Sequence, residues 1–170
     1  MGLGTTRKIA KDSGGFTVIE IVVAAAIIVL IGVVVTKFWI NTSEAFILEN
    51  NTAVLKQQSE RSMEIMAERI RRANAASIGL SNGNSTMDFV DTADGSDIQY
   101  TLTPLAPVAP AWGEITQSIN AVPNAIAGYA QALQFDVTGT GLVTINATFI
   151  IGSGRTRKTL TMQCNVAARN

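Results

Sequence analysis

Gly14-Gly15-Phe16-Thr17-Val18-Ile19-Glu20, followed by Ile21–Thr36, is the stretch on which the reading of this chain turns. The sixteen residues from Ile21 to Thr36 carry no charge and no proline. With Phe16–Ile19 the run reaches 21 residues, interrupted by one carboxylate, Glu20. At about 1.5 Å rise per residue it predicts a helix of about 30 Å, enough to cross a hydrocarbon core. A carboxylate inside such a span is costly, less so near the interface. No cation lies within one helical turn of Glu20. Its expected partner therefore comes from outside the chain, or is created by cutting it.

The residues ahead of the run favour cutting. Arg7, Lys8 and Lys11 precede it, and Gly14-Gly15 sits at the junction. A secretory signal has a charged start, a shorter apolar core and a small-residue cleavage site after that core. Here the apolar run is too long, and the helix-breaking glycines come before it. This order resembles the type IV prepilin leader: a short basic segment, Gly, then Phe-Thr-Val-Ile-Glu opening a long apolar helix. The resemblance implies cleavage between Gly15 and Phe16 by a prepilin peptidase on the cytoplasmic side. It also implies N-methylation of Phe16 and pairing of the new amine with Glu20 of a neighbouring subunit. The competing reading is a plain single-span anchor in which Gly-Gly and Glu are accidental.

Composition narrows the rest. The 170 residues allow one globular domain beyond the membrane segment. Basic and acidic residues balance at 13 each; without residues 1–15, 10 basic and 12 acidic remain. No basic nucleic-acid surface is expected. The leader cations predict an N-terminus that stays cytoplasmic, with the remainder exported. Cys164 is the one cysteine, so no disulfide forms within the chain. There is no histidine, which removes the commonest general base and metal ligand.

Four segments follow: a leader at 1–15, a membrane half of a long helix at 16–38, an exported amphipathic half at 39–78, and a β-rich domain at 79–170. Between Phe16 and Ala76 there is no proline, and Gly32 is the one glycine. Gly32 is a tolerated small residue or a point where the helix can locally unwind. Lys37, Phe38 and Trp39 mark an interface. Met63, Met66, Ile70 and Ala73 fall on one helical stripe, approached by Leu48 and Leu55, while Glu68 and Arg72 are spaced to pair. Gly79 and the run Ser81–Ser85 are expected to end the helix. Strands are expected at 87–90, 98–102, 133–137, 142–151 and 159–166, the last with Leu160, Met162 and Cys164 on one face. Turns fall at 91–96, 138–141 and 152–154. Residues 103–131 hold all four prolines and read as an irregular excursion with a short helix near Glu114–Ile119. The expected fold class is α+β, a long N-terminal helix laid against a C-terminal antiparallel sheet. That layout matches the pilin architecture implied by the leader, and Met66–Ala73 and the closing Arg169-Asn170 resemble minor pilins more loosely. The proline that kinks many major pilins near Lys37 is missing, as is their cysteine pair. These absences favour a minor pilin or a secretion pseudopilin.

No enzyme is expected: there is no histidine to pair with Cys164, and no phosphate loop occurs. Cys164 reads as a small core hydrophobe. Asp91, Asp94 and Asp97 could offer oxygen ligands to calcium, although their spacing is not that of a helix-loop-helix calcium site, and the turn reading stands beside it. Arg155, Arg157 and Lys158 read as a solvated loop or as a docking point for an acidic neighbour. No cofactor or metal is assigned. The partners implied are other pilin or pseudopilin subunits, the peptidase, an inner-membrane assembly platform and lipid. The expected location is the bacterial inner membrane, with the domain on the periplasmic side, and afterwards a pilus or pseudopilus. The alternative is a membrane-tethered binding module whose 103–131 loop is an adhesin or DNA contact.

Overall fold

The computed structural model describes residues 16–105, 112–139 and 141–169. The expected leader, Gly15, Pro107, Pro110 and Thr140 lie outside these residues. Contacts divide the chain into two units, one ending at Ser43 and one beginning at Glu44. Among the described residues a single helix, α1 (Val18–Arg71), supplies the first unit's regular structure and continues into the second.

The second unit is built on that part of α1 and a seven-stranded sheet. The strands are β1 (Gly79–Ser81), β2 (Thr86–Val90), β3 (Asp97–Pro104), β4 (Gly113–Ile119), β5 (Val122–Thr138), β6 (Leu142–Ile151) and β7 (Lys158–Ala167). Each pairs antiparallel with the next, so spatial order equals chain order. The fold is therefore α+β, as the patterning predicts.

Period-2 alternation puts one side of the sheet into the core. Phe89, Ile98, Tyr100, Ile115, Leu133, Phe135, Ile145 and Phe149 are all buried. The α1 stripe Leu55, Met63, Met66, Ile70, with Ala73 beyond the helix, belongs to the same cluster. Two small polar residues also lie on the buried side of α1. Ser59 and Ser62 turn their hydroxyls back to the carbonyls of Lys56 and Ser59, so neither burial strands a donor. Tyr100 Oη accepts a 2.9 Å hydrogen bond from Gln117 Nε2 inside the core.

The helix ends earlier than expected, at Arg71 rather than near Ala76. The glycine and asparagine run is not its terminator. Gly79–Ser81 is strand β1, and the positive φ angles of Asn82, Gly83 and Asn84 make the β1–β2 turn. What stops α1 is competition from the sheet. Thr92 donates its backbone N–H (2.9 Å) and hydroxyl (2.7 Å) to the Arg72 carbonyl. Asn74 N–H bonds the Val90 carbonyl, and Ala73 and Ala75 exchange backbone bonds with Arg169. The four residues after the helix are thus stitched to the end of β2 and the turn after it on one side, and to the segment following β7 on the other.

The 103–131 segment is the clearest correction. The described parts are strands, not an irregular excursion, and Gly113–Ile119 is β4 rather than a helix. Its buried residues Gly113, Ile115 and Gln117 alternate, and a period of two suits a strand. Asn120 (φ 49°) and Ala121 (φ 66°) close a two-residue hairpin into β5. Both central residues have positive φ, as a type I′ turn demands, yet Asn-Ala lacks the usual glycine signal. Pro123 is accommodated because residues 122–129 of β5 pair with β4 alone, leaving one side of the strand free of ladder bonds.

The core generates two expectations for stability. Asp91 is fully buried, and its Oδ2 lies 3.0 Å from Arg69 Nη1 and 3.8 Å from Arg72 Nε. Removing one partner of a buried pair strands the other, but both arginines keep some solvent contact. Asp91→Asn should cost about 3 kcal/mol, the low end for such a loss, in urea unfolding. Burial pushes the Tyr100 phenol well above the ordinary tyrosine range. The neutral form is then favoured by folding, so its contribution is full below about pH 10 and declines as pH rises beyond it. Tyr100→Phe should flatten that alkaline loss while costing about 1–2 kcal/mol at neutral pH, because Gln117 Nε2 loses its acceptor. Urea melts at pH 8 and pH 11 check both effects.

Candidate functional site

The first turn of α1 is where the sequence concentrates its signal. Thr17 precedes the helix and caps it: Glu20 Oε2 accepts from Thr17 N–H (2.8 Å) and from the Thr17 hydroxyl (2.9 Å). In return Glu20 N–H lies 3.4 Å from Thr17 Oγ1. This is a reciprocal capping box, Thr-x-x-Glu, which satisfies orphan donors at a helix start. The missing cation led the expectation to a partner from outside the chain or one created by cutting it; within the chain, Thr17 three residues away supplies neutral donors to the same carboxylate. The signal was present as Thr17-Val18-Ile19-Glu20 and follows a known spacing. Both bonds fall on Oε2, and Oε1 makes none among the described residues. Phe16, at the adjacent position, is 83% exposed.

From Val18 to Ile40 the helix displays its apolar side chains on every face, and none of these residues is buried. α1 is long and apolar enough to cross a membrane. A helix apolar all round belongs in a core or a membrane, and none of the described residues of the first unit covers it. Phe38 and Trp39, beside Lys37, are largely exposed, which suits an interfacial aromatic pair. At Gly32 the helix continues without a break, and an added Cβ would meet nothing within 4 Å. Thr36 returns its hydroxyl to the Gly32 carbonyl at 2.8 Å.

The other residues singled out from sequence do not converge. Asp91 faces Arg69 and Arg72, so its carboxylate is committed to the helix end. Asp94 Oδ1 accepts from Ser96 N–H at 3.0 Å, and hydrogen bonds from Ser96 hold that carboxyl below the usual range. Asp97 instead receives its order through Asn120, whose Oδ1 accepts from its backbone N–H. Among the described residues no group of three or more acidic, cysteine or histidine side chains could hold a metal ion. The three aspartates are turn and junction residues. Arg155 and Arg157 are exposed around a 3-10 turn at Gly154–Thr156, and Lys158 opens β7 half-buried. Cys164 is half-buried rather than fully enclosed.

A concavity of about 670 Å³ is lined by Ser77, Asp88, Asp97, Gln99, Ser118 and Asn120 among others, with no cysteine or lysine in its wall. It pairs no nucleophile with a base. Sequence reasoning missed Arg69 as Asp91's partner, since 22 residues separate them. No family model matches the chain, and neither does any curated protein or solved structure.

Thr17→Val keeps the shape of the cap residue and removes its hydroxyl. Amide exchange at Glu20 should accelerate severalfold relative to the parent, with exchange at Met66 unchanged. Equal rates at Glu20 would show that the cap does not hold the first turn.

Proposed function

We propose that this chain is a structural subunit of a type IV pilus or a type II secretion pseudopilus, in a minor, assembly-priming role. The observation that carries the reading is the division of labour along α1. Its first part is apolar on all sides with a capped acid in the opening turn. Its last part is amphipathic and forms the core of a sheet domain. A chain built this way can wait in a bilayer and later bury the same apolar surface against other helices. The Gly15–Phe16 bond is the proposed cleavage point, on the resemblance of the leader. Cutting there places a new amine on Phe16, next to the turn that holds Glu20. With Oε2 engaged by Thr17, Oε1 is the oxygen left to receive an amine from a neighbouring subunit. A carboxylate desolvated among packed helices is expensive without such a partner, so the pair would set the stagger between subunits.

The activity is assembly rather than turnover. Its partners would be other pilin or pseudopilin subunits, the prepilin peptidase and an inner-membrane platform that lifts the helix out of lipid. The domain would lie on the periplasmic side before assembly. The absence of proline near Lys37 and of a second cysteine supports a minor subunit over a major one.

The mass of the membrane-extracted protein tests the processing directly: loss of residues 1–15 and gain of one methyl group is expected. Full-length mass in cells with an active peptidase would refute it. Glu20→Ala should be processed and inserted normally yet fail to enter sheared filaments. Incorporation equal to the parent would overturn the proposed pairing.

A further inference from the structure

The sheet has two edges, and they are unequal. β1 is three residues long, whereas β7 is ten and pairs with β6 in unbroken register from Leu142↔Ala167 to Ile151↔Lys158. Long edge strands are normally protected by charge, proline, a bulge or a covering element. From Thr159 to Ala167 there is no charge, proline or glycine. No bulge interrupts the strand. Among the described residues the outer side is tied only beyond the far end of the strand, where Arg169 exchanges backbone bonds with Ala73 and Ala75.

A groove of about 300 Å³ runs along the open end, walled by Leu55 and Lys56 of α1 and by Lys158, Leu160 and Met162 of β7. Thr159, from the opposite side of the strand, lines it too, so the strand's edge faces the groove. Leu160 and Met162 in that groove, and Cys164 beyond it, are half-exposed, although their β6 neighbours Phe149, Ala147 and Ile145 are buried. The apolar side of β7 is thus incompletely covered, and its backbone ladder is open beside it.

We propose that β7 pairs edge to edge with β7 of a second copy of this chain. An open ladder accepts an extended strand, and the uncovered side asks that strand for apolar residues at alternate positions without charge. β7 itself answers that description. Antiparallel pairing keeps like sides together only if the two-fold axis passes through a residue. The tie at Arg169 displaces the axis toward the open end and places it at Met162. In that register Met162 meets Met162 of the partner subunit, Leu160 meets Cys164 of the partner subunit, and Thr161 meets Gln163 of the partner subunit. No charged pair is forced together along the paired strands. The inference needs only the sheet edge and does not rest on the filament reading.

The test uses full-length protein in membranes. Opposed residues in an antiparallel pair lie about 4.5–5.5 Å apart at Cα, within disulfide reach. Met162→Cys in a Cys164→Ser background should form a disulfide dimer on mild oxidation. Adding Thr161→Lys and Gln163→Lys, both at exposed positions, sets like charges opposite each other twice and should abolish that dimer. For a readout that leaves Met162 untouched, two differently tagged copies are co-expressed. The Lys–Lys copy should fail to co-purify with itself but recover association with a Thr161→Glu, Gln163→Glu copy. Absence of the disulfide in the Met162→Cys variant together with charge-independent co-purification would overturn the proposal, as would a dimer that survives the paired lysines.

Discussion

The buried carboxylate of Asp91 is the constraint on which the folded domain depends. It has no solvent contact, and its charge is met by Arg69 in the last turn of α1 and by Arg72 just beyond it. A charge placed there is tolerable only if the helix terminus stays where it is. The backbone around it enforces the same position. Thr92 takes over the Arg72 carbonyl, Asn74 bonds to Val90, and Arg169 pairs with Ala73 and Ala75. The helix end, the β2–β3 turn and the tail of β7 are therefore fixed together. With one cysteine in the chain, no covalent staple shares this task.

This junction explains why a purely local reading misplaces the helix terminus. Residues 72–76 carry no breaker, and helix propensity alone would carry α1 onward. Thr92 and Arg169, distant in sequence, outcompete the next helical turn. The same lesson applies to 113–119, where prolines on both flanks suggested irregular chain. Pro104 sits at a strand end and Pro123 on an unpaired strand side, positions that need no N–H. A hairpin built on Asn-Ala hid the connection, because a non-glycine residue seldom holds positive φ.

Other features were legible because one local period decides them. The α1 stripe of Met63, Met66, Ile70 and Ala73 is buried, as its spacing requires. Ile98 and Tyr100, Leu133 and Phe135, and the β6 and β7 runs alternate and form strands. The α+β class follows from those patterns. At the candidate site, Phe16 and Glu20 were legible from their order behind Gly14-Gly15. Thr17 was readable too, since a hydroxyl and N–H three residues before a glutamate can hold it without any charge. The Arg69–Asp91 contact was not readable, since nothing local links a helix arginine to a turn aspartate 22 residues on.

The two ends of α1 solve related electrostatic problems by different means. At Asp91 the acid is permanently enclosed, so its countercharge is built into the chain. At Glu20 the acid opens an uncovered apolar helix and is held by neutral groups, the Thr17 N–H and hydroxyl. Neutral donors steady a carboxylate without cancelling its charge. An acid held in this way remains attractive to a cation from elsewhere, whereas one already paired, like Asp91, does not. The cap at Thr17 is thus compatible with an external partner for Glu20: it fixes the carboxylate's direction at the head of the helix and leaves its charge uncancelled.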